Sequence, residues 1–151
     1  MSQAVYSRVI QFGALLIGAV YLVLGLAGFI PSDAINPLHH EHIETPYLLN
    51  LVAINALHNV IHLAIGVTGL LASRRLAWAR QWGVITGVVL LLLFLAGMVQ
   101  AALEGLPPDQ LFLGVLPLNS PGHILHLVTG ALALYLGLVR LPTPDGAGDT
   151  S

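Results

Sequence analysis

The stretch NALHNVIHLAIG, Asn55 to Gly66, returns as NSPGHILHLVTG, Asn119 to Gly130, aligned without a gap. Asn55 matches Asn119, His62 matches His126, Leu63 matches Leu127 and Gly66 matches Gly130, each pair 64 positions apart. Both copies lie in long uncharged apolar runs, where a polar side chain is costly and marks function by default. The repeat points to a duplicated site inside a membrane.

The rest of the chain agrees with a bilayer. Its 151 residues are 56% hydrophobic and only 8% charged, with a mean hydropathy of +0.86, outside the range of an ordinary soluble domain. Uncharged apolar runs at about 9–30, 50–72, 82–103 and 119–139 each approach the roughly 20 residues needed to cross the hydrocarbon core. The expected fold is all-α: an integral membrane four-helix bundle over residues 1–140, followed by a disordered cytoplasmic tail, LPTPDGAGDTS, at 141–151. The first run exceeds the usual apolar core of a signal peptide and lacks a small-x-small cleavage site, so it is read as a retained helix. Cysteine is absent, which removes disulfides and thiolate metal sites. A net charge of -2 and the lack of a large basic patch argue against nucleic acid as a partner.

Charge sets an orientation. All five basic residues are Arg (Arg8, Arg74, Arg75, Arg80 and Arg140), and in a four-span topology they fall on one side. Asp33, Glu41, Glu44, Glu104 and Asp109 fall on the other. By the positive-inside rule both termini and the 73–81 turn are expected in the cytoplasm, the protein sitting multi-pass in the cytoplasmic (inner) membrane.

The repeat also extends to the first and third runs, where Gly18, Leu24 and Gly28 match Gly87, Leu93 and Gly97 at a spacing of 69. The five extra residues fall in the first outer loop, which carries the insert HHEH. Two duplicated helical hairpins are expected, related by a pseudo-twofold axis along the membrane normal. Asn119 and Ser120 read as N-cap residues with Pro121 in the first turn, where its missing donor costs little.

At 100° per residue, Asn55, His58, Asn59 and His62 share one helix face, continued by Gly66, Gly69 and Ser73. In the fourth run the stripe is Asn119, His123, His126, Gly130, Ala133 and Gly137. Small residues allow close helix approach, so each stripe predicts a seam that makes the second and fourth helices direct neighbours. Three readings of the polar ends stay open. Asn and His hydrogen-bond across helices as architecture, each bond contributing about 0.6 kcal/mol. His62 and His126 ligate a b-type haem axially, with Gly25, Gly66 and Gly130 leaving space for the macrocycle. Or His58, His62, His123 and His126 gather around a divalent transition-metal ion, with Asn55, Asn59, Asn119 and Tyr21 behind them. HNVIH has the spacing of helical zinc sites, but Asn59 stands where a zinc protease needs a Glu base.

The loop PLHHEHIETP adds His39, His40, His42 and Glu41 just outside the membrane, a composition suited to recruiting a metal or sensing protons. Gln11 and Gln100 are expected at opposite membrane boundaries, and Trp78 and Trp82 in an aromatic belt flanking the cytoplasmic turn.

The paired motifs resemble the bacterial family known as domain of unknown function 4383, small four-helix membrane proteins. They carry Asn-x-x-His-Asn-x-x-His-Leu-x-x-Gly in helix 2 and a related Asn, His-Leu-x-x-Gly pattern in helix 4. The similarity runs to about Arg140. That family often has Asp at the position of His123, so the resemblance carries over His58, His62 and His126 and assigns no activity. The expected role is a binding or accessory module in the lipid bilayer, working with membrane-protein partner subunits. The alternatives are a haem-bearing electron-transfer subunit and a metal-handling or transport protein. An enzyme acting alone is not expected, because no nucleophile stands beside a base.

Overall fold

The computed structural model describes residues 3–30, 47–48, 51–104, 110–112 and 114–140. They form four helices: α1 (Gln3–Ala27), α2 (Ala56–Ala72), α3 (Leu76–Glu104) and α4 (Ser120–Leu138). Before α2 lies a ribbon of two short strands, β1 (Tyr47–Leu48) and β2 (Val52–Ala53); before α4 lies a second, β3 (Gln110–Phe112) and β4 (Leu116–Leu118). The tail at 141–151 and the His-rich loop lie outside the described residues.

Helices α1, α3 and α4 are long and apolar enough to cross a membrane, with mean hydropathies of 2.3, 2.4 and 1.3. Their outward faces carry bare apolar side chains on every element, such as Phe12, Val23, Leu92, Val99 and Ile124. Water would not tolerate so much exposed apolar surface, whereas lipid tails solvate it.

The sequence predicts the second helix from about residue 50, yet α2 begins at Ala56 and has 17 residues. Asn55 decides the start: its backbone is extended and its side chain accepts from the His58 N–H, so it caps a helix that cannot continue upstream. Residues before it turn back into the β1–β2 ribbon, pairing Tyr47 with Ala53 and Leu48 with Val52. Asn119 caps α4 in the same way, accepting from the Gly122 N–H, with Pro121 in the first turn as the sequence predicts. Its ribbon pairs Leu111 with Pro117 and Phe112 with Leu116, the same register shifted by 64. The third helix also starts earlier than its apolar run, at Leu76, because Ala77 and Ala79 keep the helix favourable through the Arg-rich turn.

The helices run alternately up and down. Packing is tightest between α1 and α2 and between α3 and α4, while α1 and α3 meet across the centre and α2 and α4 stand at opposite corners. This overturns the expected α2–α4 seam. The small residues seal each hairpin instead: a Cβ on Gly66 would lie 2.6 Å from the Leu22 Cα, and one on Gly87 would lie 2.8 Å from the Gly130 oxygen. At the Arg-bearing end Ile10, Ala14, Ile17, Ala79, Trp82 and Ala133 form an apolar core. Trp82 is therefore internal rather than part of a belt, its indole N–H donating to the Thr68 hydroxyl at 3.1 Å. Trp78 does face outward, with the Arg75 guanidinium 4.6 Å above its ring. Gln11 points inward as well, donating to the Ser73 carbonyl.

Candidate metal centre

His58 and His62 are four positions apart, which puts both imidazoles on the same face of α2, one turn apart. Cap geometry fixes their depth, since Asn55 holds the first turn in which His58 sits. His126 reaches the same point from α4. Ring centroids are 4.3 Å apart for His58 and His62, 6.1 Å for His58 and His126, and 6.4 Å for His62 and His126. One nitrogen from each ring can be chosen so that all three lie within 4.8 Å of one another. Nitrogens bound to one ion at about 2.0–2.1 Å stand roughly 3.5 Å apart, so closing on an ion requires shifts of about 1 Å.

All three rings are buried, with His62 2% exposed. His58 Nδ1, His126 Nδ1 and both nitrogens of His62 have no hydrogen-bond partner among the described residues. A neutral imidazole carries one donor and one acceptor, so both polar groups of His62 are left unmet. Each such group costs about 1–3 kcal/mol unless something else fills the space. That space is a cavity of about 20 Å³ lined by the three His with Ile61, Ile65, Leu90, Leu93, Leu116 and Leu118. One water needs roughly 10–15 Å³. A single ion or water fits, whereas a haem requires on the order of several hundred Å³. The glycines expected to make room for a macrocycle are filled: Leu63 packs on Gly25, Leu22 on Gly66, and Leu90 with Leu91 on Gly130.

Surrounding groups orient the cluster. The His58 ring also meets the backbone carbonyls of Ala53 and Pro117, one from each ribbon. A carbonyl on one ring nitrogen fixes the tautomer and leaves the other as a lone pair, the usual arrangement behind a ligating His. The Tyr21 ring stands edge-on to His62 at 5.0 Å, but its hydroxyl pairs with Thr129 at 2.8 Å rather than with an imidazole. Asn59 donates to the Gly28 carbonyl, tying α2 to the end of α1. Asn55 and Asn119, beyond capping, cross between the halves: Asn55 Nδ2 donates to the Val115 carbonyl and Asn119 Nδ2 to the Leu51 carbonyl, both at 2.7 Å. Leu51 and Val115 are themselves 64 positions apart.

His123 stays outside the cluster. It occupies the repeat position of Asn59, packs against Phe94 with centroids 6.4 Å apart, and lies over Gly97 as Asn59 lies over Gly28. The three-His group is the one potential metal cluster among the described residues. His39, His40, His42 and Glu41, the expected loop site, lie outside them. Leu116 and Leu118, which close the cavity, and Thr129, which holds Tyr21, are not singled out by the sequence. The signal for the first two was their position just before Asn119, where the matched phrase begins.

A family model described as a domain of unknown function (DUF4383) matches residues 11–139, and the chain belongs to that family. No curated protein matches it. No solved structure matches it either.

Proposed function

We propose that this DUF4383 protein is a four-span protein of the cytoplasmic membrane whose two hairpins are a duplication, and that it binds one transition-metal ion through His58, His62 and His126. The observation that carries the reading is the convergence of three buried imidazoles on a small cavity, with four of their nitrogens unpartnered among the described residues. Imidazole nitrogens are suitable ligands for zinc, copper, iron and nickel. The reciprocal bonds of Asn55 and Asn119 and the equal ribbon registers support the duplication. The five Arg at one end of the bundle support cytoplasmic termini.

The same cavity also admits one water bridging the imidazoles, which would make the cluster architecture. Elemental analysis separates the two. Protein purified in mild detergent without chelators, or reloaded with metal, is expected to hold one ion per chain. His58→Ala, His62→Ala and His126→Ala should each lose it, while His123→Ala retains it. A metal-free wild type that also takes up no added ion would leave a water-filled polar seam.

A further inference from the structure

The charge and size of the cavity say which ion it takes. Apart from the three imidazoles, the described residues on its walls are aliphatic: Ile61, Ile65, Leu90, Leu93, Leu116 and Leu118. No Asp or Glu occurs anywhere in α1, α2 or α4, and in α3 the one acid is the terminal residue, Glu104. Tyr21 supplies no phenolate, because its hydroxyl is engaged with Thr129, whose own hydroxyl reaches the Leu125 carbonyl. Three neutral ligands thus leave the full charge of the ion inside an apolar bundle. The cost of burying a charge grows as its square, so a divalent ion is penalised about four times as heavily as a monovalent one.

Coordination number points the same way. Zinc in a protein takes four ligands, and a three-His zinc site keeps a water or hydroxide in the fourth position. Divalent copper prefers a tetragonal set of at least four. Among the described residues the three imidazoles are the only ligating side chains on the cavity of about 20 Å³, so any fourth ligand has to be a water drawn in beside aliphatic walls. Helix packing resists expansion, since Leu90 on the wall also packs against Gly130. Imidazole is a borderline ligand, so softness does not select the ion here; charge and the limit of three ligands do.

We infer that the three-His centre is a monovalent copper site, binding Cu(I) in trigonal coordination and discriminating against divalent ions. This rests on the metal-binding reading above and deepens it. The test titrates purified wild-type protein with tetrakis(acetonitrile)copper(I) under anaerobic conditions, with silver nitrate as a redox-silent monovalent probe, and with zinc chloride, each against a chelator of known affinity. Cu(I) and Ag(I) should bind one per chain, with Zn(II) at least roughly tenfold weaker. X-ray absorption of the copper form should give three nitrogen neighbours. Zinc binding as tight as Cu(I), or a fourth light-atom ligand on copper, would overturn the monovalent assignment while leaving a metal site in place. Failure of all three ions to bind would remove the metal site itself. In each titration His62→Ala serves as the control that ties the bound ion to this cluster.

Discussion

At the scale of single residues, Asn55 and Asn119 each perform two tasks with the two ends of one amide. The oxygen accepts from the first turn of a helix, and the nitrogen donates to a carbonyl in the opposite half. Replacing Asn119 by Ser keeps a capping oxygen but cannot reach Leu51, whereas Ala removes both contacts. Asn119→Ser should therefore lose the cross-bond, about 0.5–1.5 kcal/mol, and Asn119→Ala should lose roughly a further 1 kcal/mol for the cap. Thermal unfolding in detergent reads both steps, and equal losses would mean that the cap contributes nothing. Asn119 is identifiable as a cap from its sequence, preceded by Pro117 and followed by Pro121. Asn55 lacks such punctuation on its immediate flanks, and the apolar run through Leu51, Val52 and Ile54 looks like helix. The information was nevertheless in the repeat, because Asn55 matches Asn119 and a cap at one implies a cap at the other.

At the scale of elements, the stripes of small residues were legible and their partners were not. A glycine stripe states that something approaches closely; it does not state which helix. Gly66 meets Leu22 on α1 and Gly87 meets Leu134 and Gly130 on α4, so the stripes bind the members of each sequential hairpin. The polar ends of α2 and α4 are then free to face the space between hairpins, where the imidazoles meet. His58 and His62 were legible as a pair because their spacing is one helical turn, and His126 by its match to His62. His123 was grouped with them wrongly, since sequence proximity to His126 conceals that its repeat partner is Asn59. Gly66→Ala or Gly87→Ala would bring a methyl into backbone and should destabilise by about 1–3 kcal/mol. Val128→Ala, on an exposed face, should change stability far less. Cys pairs at 66 and 130 should fail to crosslink, since α2 and α4 stand at opposite corners.

At the scale of the whole molecule, the bundle is divided along its length. The Arg-bearing end is a dry core around Trp82, and the other end is closed by two β-ribbons over a buried polar cluster. The ribbons account for the short α2: at 1.5 Å per residue its 17 residues span about 26 Å, less than the roughly 30 Å hydrocarbon core. Irregular backbone at that depth is tolerated only when covered by protein, and Leu48, Ala53, Ile54, Pro117 and Leu118 are buried there. If the termini are cytoplasmic, the His cluster sits in the outer half, and an ion bound as proposed would enter from outside past the ribbons. The chain has no native Cys, so labelling is clean. Val115 is exposed on the ribbon turn and Arg75 is exposed on the opposite end. In intact cells a membrane-impermeant maleimide should modify Val115→Cys and spare Arg75→Cys until the membrane is opened. The reverse pattern would invert the protein, place the His cluster nearer the cytoplasm, and make the cytosol the source of the ion proposed to bind there.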